Sequence, residues 1–238
     1  MHKRALKDLL YEQVARIGRA LASPKRLEML ELLAQGEKSV EDLTAELGID
    51  VKLASAHLQA LKDACLVRSR SEGKYRIYRL SDDGVGQLSV VLRSVAERHL
   101  QGLQAALSHM LAAPQSLTPT DRRSLLTQAR RGDVVVIDVR PQLEYDTAHL
   151  PHARSLPLAE LKQRLAELPR DKPIVAYCRG PFCVMSDEAV LQLMAHGFAA
   201  RKMSDGVSEW RAAGFTLTVS AAGRSNAGRR PVATGVPS

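Results

Sequence analysis

The sequence predicts two domains, a mainly α-helical N-terminal domain followed by an α/β domain built on a parallel sheet. Two changes of pattern support this division. Residues 1–112 carry apolar residues at helical spacing with one β-rich interruption, whereas residues 120–218 alternate short apolar runs with helical segments. Between them, the Pro- and Ser-containing stretch 113–119 breaks both patterns and is predicted to be a linker.

Length and charge restrict the class of protein. The chain has 238 residues, a net charge of +8 and an isoelectric point near 9.6, which favours a polyanionic partner such as nucleic acid. No apolar run reaches the roughly 20 residues of a membrane span, and the N-terminus lacks the apolar core of a secretory signal. We therefore expect no membrane partner and a cytoplasmic location, where the three cysteines remain reduced.

The helical domain is predicted element by element. Apolar residues recur at helical spacing in four segments: 4–21, 24–35, 39–47 and 51–64. Ser39 with Asp42 resembles a capping box, and Asp50 is the N-cap of the fourth segment. Residues 66–80 change to a period of two and predict a β-hairpin, after which one long helix is expected over 82–111.

The third and fourth helices and the hairpin predict a winged helix-turn-helix, which binds duplex DNA. One stripe of the fourth helix is expected to pack on the core: Ala54, Leu58, Leu61 and Cys65. Its opposite face carries small and hydrogen-bonding side chains suited to the major groove: Lys52, Ser55, Ala56, Gln59 and Asp63. The hairpin carries five cations that are expected to contact phosphates: Arg68, Arg70, Lys74, Arg76 and Arg79. The alternative is that these residues form a solvated charged ribbon without a ligand.

Residues 21–88 resemble the ArsR/SmtB repressors in three stretches, ALASPKRLEMLELL, SAHLQALKDACLV and YRIYRL. The resemblance implies an operator-binding homodimer held by its first and last helices, here the stripes at 6–21 and 88–110. Metal-sensing members carry paired cysteines where this chain has SVEDL, residues 39–43. Cys65 is the only cysteine of the domain and is expected to be a small core hydrophobe. We therefore expect no metal at the family's usual sites, while His and carboxylate sites elsewhere in the dimer stay open as an alternative. No cofactor is expected.

The second domain alternates strands with helices. Apolar runs typical of buried parallel strands occupy 134–138 and 174–177, and a further strand is expected near 201–203. Helical patterns lie at 120–130, 158–168, 184–196 and around Trp210. This order predicts a parallel sheet covered on both faces. Residues 219–238, rich in Gly, Ser, Ala, Arg and Pro, are predicted to be a disordered tail.

Cys178 is the candidate reactive residue of this domain. It follows the strand 174–177 and precedes a helix, separated from it by a loop that begins Arg179, Gly180, Pro181 and Phe182. Backbone N–H groups of such a loop are expected to point at the sulfur and lower the pKa of its thiol, and Arg179 adds a positive charge. Cys183 has two interpretations: a resolving thiol for a persulfide or sulfenic acid on Cys178, or a buried residue at the helix start.

Residues 118–217 resemble the single-domain rhodaneses in DVRPQLEYDTAHLPHA, KPIVAYCRGPFC and DGVSEWRAAGF. The resemblance implies that Cys178 accepts sulfane sulfur from thiosulfate, polysulfide or a low-molecular-weight persulfide, in a pocket formed by the backbone of 179–183. Asp138 and Arg140 match a family Asp-x-Arg and would support the sheet edge. A phosphatase or arsenate-reductase loop, Cys-x5-Arg, is disfavoured because Val184 occupies the arginine position.

Together the two halves predict a DNA-binding transcriptional regulator, a repressor, in which sulfur on Cys178 weakens DNA binding. An active sulfurtransferase with an accessory DNA-binding domain is the alternative. A third possibility is an inactive ligand-binding or dimerising domain, against which the intact loop cysteine argues.

Overall fold

The computed structural model describes residues 3–110, 117–118 and 121–220. The chain divides into two compact units, residues 1–104 and 105–238. Most of the predicted linker (113–116 and 119) and of the predicted disordered tail (221–238) lies outside the described residues. Across those described ranges, no helix combines the length and the apolar character needed to cross a bilayer.

The first unit has the predicted winged helix-turn-helix architecture. Its helices are α1 (Lys3–Leu21), α2 (Pro24–Gln35), α3 (Val40–Leu47), α4 (Val51–Asp63) and α5 (Asp83–His99), and α6 (Gln101–Met110) follows. Its antiparallel sheet has the order β1 (Lys38–Ser39), β3 (Tyr75–Leu80), β2 (Val67–Glu72). The core lies where α2, α3 and α4 meet, around the fully buried residues Met29, Leu30, Leu43, Leu58 and Leu61.

Side-chain caps fix the helix-turn-helix. Ser39 Oγ accepts the Asp42 backbone N–H at 3.0 Å, and the Asp42 carboxylate accepts the Ser39 N–H at 3.0 Å, so the predicted capping box is present. Gly48 ends α3 in the left-handed conformation, at φ +61°. Asp50 Oδ1 then accepts the Leu53 N–H at 2.8 Å and begins α4. Both predicted caps are confirmed.

The long helix expected over 82–111 is in fact broken at Leu100. This residue is extended, at φ −103° and ψ 102°, and separates α5 from α6. The break leaves carbonyls at the end of α5 without helical partners, and the Gln104 side chain donates to those of Glu97 (2.8 Å) and Arg98 (3.3 Å). The apolar period continues through the break, which is why the sequence pattern did not show it.

Cys65 is exposed, which corrects the expectation that it belongs to the core stripe of the fourth helix. The helix ends at Asp63, and Cys65 takes the left-handed position after the cap, at φ +59°. Its N–H donates to the Lys62 carbonyl and the Leu66 N–H to that of Leu61, the two bonds of a Schellman motif. Since the chain reverses here, helical spacing no longer predicts where the side chain points.

The second unit is a parallel sheet covered on both faces, as predicted. Its strand order is β4 (Leu117–Thr118), β8 (Ala200–Met203), β7 (Ile174–Tyr177), β5 (Val135–Asp138), β6 (Arg154–Ser155). Its helices are α7 (Arg122–Arg131), α8 (Gln142–Thr147), α9 (Met185–Ala195) and α10 (Val207–Ala212), and 158–168 forms two short 3-10 helices rather than an α-helix. One face of β7 packs with α9, and the other holds Tyr177 and the buried Trp210.

Strand β4 falls within the predicted linker. Leu117 and Thr118 pair in parallel with Lys202 and Met203 of β8, so at these two residues the expectation of a linker is corrected. A two-residue strand is too short to show an alternating pattern in the sequence. Its pairing comes from the exposed edge that β8 offers.

Candidate functional site

Cys178 lies at the carboxyl end of β7, between the neighbouring strands β8 and β5. All four residues of β7 are buried, and the alternation along the strand places Ala176 and Cys178 on the face covered by α9. The cysteine residue is only 1% exposed. The sulfur is therefore enclosed by β7, α9 and the loop that joins them.

The surroundings of Cys178 favour an ionised sulfur. Burial alone raises the pKa of its thiol, but hydrogen bonds from the Cys183 thiol, the Ser186 hydroxyl and the backbone N–H groups of Gly180 and Ser186 outweigh burial and lower the pKa to about 7. Sγ lies 3.4 Å from Ser186 Oγ, and in its protonated form it can donate to the Cys183 carbonyl oxygen, 3.6 Å away. The hydrogen bonds thus favour the thiolate, the nucleophilic form of Cys178, near neutral pH.

The pKa of the Cys183 thiol is shifted in the opposite direction to that of Cys178. Its hydrogen bond to Cys178 and its partial burial raise the pKa of its thiol, so Cys183 keeps its proton while Cys178 loses one. Cys183 is half-buried and lies two residues before α9, which begins at Met185. A thiol with a lowered pKa beside a thiol with a raised pKa suits a nucleophile next to a hydrogen-bond donor.

Close backbone packing shapes the loop. A Cβ on Gly206, just before α10, would lie 2.2 Å from the Arg179 carbonyl oxygen, so only glycine fits there. The Gly206 N–H donates to Glu209 Oε2 at 2.7 Å. A Cβ on Gly180 would lie 3.1 Å from that same oxygen. Pro181 is partly buried and Phe182 is 37% exposed, at the outer side of the loop.

Asp138 and Arg140 form a buried ion pair at the end of β5. Both side chains are 0% exposed, and Arg140 donates from Nε to Oδ1 at 2.9 Å and from Nη2 to Oδ2 at 2.6 Å. Arg140 also donates to the Ala148 carbonyl, and the Tyr177 hydroxyl donates to Asp138 Oδ2 at 2.6 Å. This network joins the ends of β5 and β7 and thereby supports the start of the cysteine loop.

Arg179 does not stand as a free charge beside the sulfur, as the sequence led us to expect. Its guanidinium pairs with the buried carboxylate of Glu144 on α8, with Nε donating to Oε2 at 3.0 Å. The pair neutralises both charges and ties the loop to α8. Arg179 therefore holds the loop in place.

Sequence reasoning missed several residues of this site. Ser186, in the first turn of α9, supplies both a hydroxyl and a backbone N–H to Cys178. Lys202 and Asp187 form a further ion pair beside the loop. A serine eight residues after a loop cysteine is a weak signal, and a lysine within a short strand reads as a surface residue.

The exposed face of α4 is a candidate nucleic-acid interface. The predicted residues Lys52, Ser55, Ala56 and Gln59 are all exposed, whereas the stripe of Ala54, Leu58 and Leu61 is fully buried. Gln59 donates one Nε2–H to Asp63 Oδ1 at 2.6 Å, which leaves its second N–H and its amide oxygen for a base. The structure thus brings the four residues onto one free face.

The wing β2–β3 holds the other predicted residues. Arg70, Lys74 and Arg76 are exposed, but Arg70 forms ion pairs with Glu37 and Glu72. Lys74 Nζ lies 5.1 Å from the centre of the Tyr75 ring, and Arg76 Nε donates to Ser69 Oγ at 3.3 Å. Of the predicted wing cations, Arg70 is paired with two carboxylates, and Arg79 Nε lies 3.8 Å from Glu37 Oε1.

Within residues 3–110, 117–118 and 121–220, no group of three or more His, Cys, Asp or Glu side chains is placed to hold a metal ion. Residues 39–43, the segment that would carry the cysteines of a metal sensor by the family resemblance, contain the capping box.

Known protein families match each of the two units of the chain. The family model for bacterial regulatory proteins of the arsR family matches residues 23–69, and that for the rhodanese-like domain matches residues 121–213. The HTH-type transcriptional regulator Rv0324 of Mycobacterium tuberculosis is 43% identical over 211 residues, which cover 89% of this chain and 92% of that protein. The chain belongs to the ArsR family of bacterial regulatory proteins. Its second unit is a rhodanese-like domain.

Two further relatives match parts of this ArsR-family regulator. The probable adenylyltransferase/sulfurtransferase MoeZ of M. tuberculosis is 28% identical over 163 residues, covering 67% of this chain and 40% of MoeZ. The homodimeric winged helix-turn-helix domain of Mb0332 from Mycobacterium bovis is 42% identical and covers 43% of this chain and 92% of that chain, with a TM-score of 0.39. The arsR-family match ends at residue 69, so Arg70, Lys74 and Arg76 lie beyond it.

Proposed function

We propose that this ArsR-family regulator is a DNA-binding repressor whose rhodanese-like domain senses or transfers reactive sulfur through Cys178. The observation that carries the proposal is the sulfur itself, which accepts hydrogen bonds from two backbone N–H groups, the Ser186 hydroxyl and the Cys183 thiol. A thiolate at neutral pH is a nucleophile, and the same donors suit the anionic persulfide that would form on it.

Transfer of a sulfane sulfur to Cys178 requires only the donor and the thiolate. The Cys178 thiolate attacks the sulfane sulfur of a persulfide, R–S–SH; the S–S bond of the donor breaks, R–S⁻ leaves, and Cys178 carries –S–SH. With thiosulfate the leaving group is sulfite. In either reaction the attacked sulfur passes to Cys178, and no external oxidant is needed.

Cys183 offers a second step. Its sulfur can attack Sγ of the persulfidated Cys178, forming a Cys178–Cys183 disulfide and releasing the outer sulfur as HS⁻. The opposite shifts that the two cysteines impose on the pKa of each other's thiol support this role. Closing the disulfide would require Cys183 to surrender its proton and the loop to rearrange, which is a change in shape that a regulator can use.

The first unit would bind an operator as a homodimer. Exposed apolar side chains support self-association, on α1 (Leu6, Leu9, Leu10, Tyr11 and Val14) and on α5 (Leu88, Val91, Leu92 and Val95). Pairing through these faces would present two copies of α4 to an inverted repeat. Persulfidation of Cys178 would then alter the dimer and weaken DNA binding.

One experiment tests both the reaction of Cys178 with sulfur and its effect on DNA binding. The purified full-length protein is treated with polysulfide; mass spectrometry maps the added sulfur, and fluorescence anisotropy follows binding to its own promoter. We expect added sulfur on Cys178, a Cys178–Cys183 crosslink on standing, and weaker DNA binding. Cys178→Ser should abolish the response, whereas Cys65→Ser, which removes an exposed thiol, should preserve it. An unchanged response in Cys178→Ser would overturn the proposal.

A working sulfurtransferase is the second candidate, favoured by the partial match to MoeZ. The same thiolate would then turn over with thiosulfate and an acceptor thiol. A steady-state turnover assay that depends on Cys178, combined with DNA affinity that sulfur donors leave unchanged, would favour this enzyme over the sensor.

A further inference from the structure

Lys202 is a buried cation that the chemistry above does not use. It lies on β8, its side chain is 2% exposed, and its Nζ is 2.5 Å from Asp187 Oδ2 in the first turn of α9. The same Nζ is 3.5 Å from the backbone carbonyl oxygen of Cys183. An ammonium group is seldom buried unless it is paired, and Asp187 supplies the partner here, so the ion pair as a whole is a candidate for a role at the neighbouring loop.

The geometry relates Lys202 directly to the reactive sulfur. Lys202 is the register partner of Ala176 on β7, and Ala176 and Cys178 share the sheet face that packs with α9. The Cys183 carbonyl oxygen contacts Nζ at 3.5 Å and Cys178 Sγ at 3.6 Å. Because both distances end on one atom, the ammonium and the sulfur are no more than about 7 Å apart.

We propose that Lys202 is a positioning residue for Cys178: it holds the Cys183 carbonyl and the start of α9, so that the loop keeps its shape when the sulfur becomes negative. The proposal rests on the proposed function only in that Cys178 must ionise.

The reason lies in the carbonyl that the two groups share. A protonated Cys178 can donate to the Cys183 oxygen, but a thiolate or a persulfide anion cannot, and then two electron-rich atoms face each other. The Lys202 N–H remains as the donor that satisfies this oxygen and opposes the repulsion. Without Lys202, ionisation would leave a buried carbonyl beside an anion, and the neutral thiol would be favoured.

The other charged and titratable groups near Cys178 each have a partner of their own. Cys183 in the loop donates to the sulfur, and Asp187 on α9 pairs with Lys202. Arg179 pairs with Glu144 on α8. Glu209 on α10 lies beside Gly180 and accepts the Gly206 N–H. Of these groups, Lys202 is the cation that contacts the same carbonyl as the sulfur.

The test measures the pH dependence of Cys178 alkylation by iodoacetamide in the full-length protein, read at this residue by mass spectrometry. In Lys202→Met we expect the midpoint to rise by about one pH unit, which lowers the alkylation rate at pH 7 about fivefold. The double variant Lys202→Met/Asp187→Asn avoids an unpaired carboxylate and should show the same rise, so that a folding defect of the single variant cannot hide the effect.

Asp187→Asn alone is the matched control. It keeps the Lys202 donor and removes a negative charge, so the midpoint should stay or fall. A midpoint that is equal in all variants, or that rises in Asp187→Asn as much as in Lys202→Met, would overturn the proposal. Alkylation needs neither a sulfur donor nor DNA. If polysulfide fails to modify the wild-type protein, the proposed function fails while the role of Lys202 is still decided.

Discussion

The backbone of Arg179 and the α-carbon of Gly206 are in direct contact, since a Cβ on Gly206 would lie 2.2 Å from the Arg179 carbonyl oxygen and 2.6 Å from that of Cys178. Both neighbours are backbone atoms of the cysteine loop, and neither can move away alone. The loop therefore has its shape only if residue 206 lacks a side chain.

Gly206→Ala should accordingly destabilise the second unit by at least about 2 kcal/mol, as expected of overpacking against backbone. The single tryptophan, Trp210, is buried in α10, so its fluorescence during urea unfolding reports on this unit. Gly102→Ala, where an added Cβ meets nothing within 4 Å, is the control and should leave the Trp210 transition unchanged. Equal transitions in the two variants would contradict the contact.

Alkylation of Cys178 should follow a midpoint near pH 7 and level off above it, because the pKa of its thiol is lowered to about 7. Cys183→Ala removes a hydrogen bond to the thiolate and should raise the midpoint, while Cys183→Ser keeps a donor and should raise it less. Because the pKa of Cys178 is lower in the folded protein, ionisation of this thiol stabilises the folded state. This contribution to the free energy of unfolding is complete above the ordinary thiol pKa and is lost as the pH falls through about 7. Equal midpoints in all three proteins would exclude the thiol–thiolate hydrogen bond.

Asp138→Asn should cost about 3–5 kcal/mol of unfolding free energy, because it leaves the fully buried Arg140 without its counter-charge. Tyr177→Phe removes a hydroxyl that donates to Asp138 and accepts from the Leu150 N–H, and should cost about 1–3 kcal/mol. Urea unfolding followed at Trp210 ranks the two variants. A smaller loss for Asp138→Asn than for Tyr177→Phe would show that the ion pair does not support the loop.

Glu37→Gln should strengthen DNA binding, because it releases Arg70 of the wing from one of its two carboxylate partners. The slope of log K against log salt should steepen by up to about 1, the value for one added phosphate contact. Fluorescence anisotropy at several salt concentrations measures it. Glu167→Gln removes the same charge in the other unit and controls for net charge; an equal effect of both would rule out a specific role for the wing.

Cys65→Gly should stabilise the first unit by up to about 1 kcal/mol, because the left-handed conformation at φ +59° costs a side chain energy that glycine does not incur. Cys65→Ala retains a Cβ and should bring no gain. Thermal unfolding followed by circular dichroism compares the two. Stabilisation in the alanine variant alone would mean that the thiol, and not the backbone, is unfavourable there.

The elements that the sequence predicted are those with local signals. The capping box Ser39–Asp42, the cap at Asp50 and the strand Ile174–Tyr177 each depend on neighbouring residues, and the structure has them where expected. The loop position of Cys178 followed from the same strand-to-helix pattern.

What the sequence did not show depends on partners distant in the chain. Lys202 pairs with Asp187 across two elements, and Arg179 meets Glu144, 35 residues earlier. Cys65 and Leu100 depart from the helical period because the backbone changes direction at these residues while the apolar pattern runs on. Neither spacing nor composition records such changes.

The pairing of strand β4 with β8 links the start of the second unit to the strand that carries Lys202. Leu117 is the register partner of Lys202, so the polypeptide coming from the DNA-binding half enters the second unit alongside the strand that steadies the cysteine loop. A displacement of β8 would therefore act first on β4, through this backbone pairing.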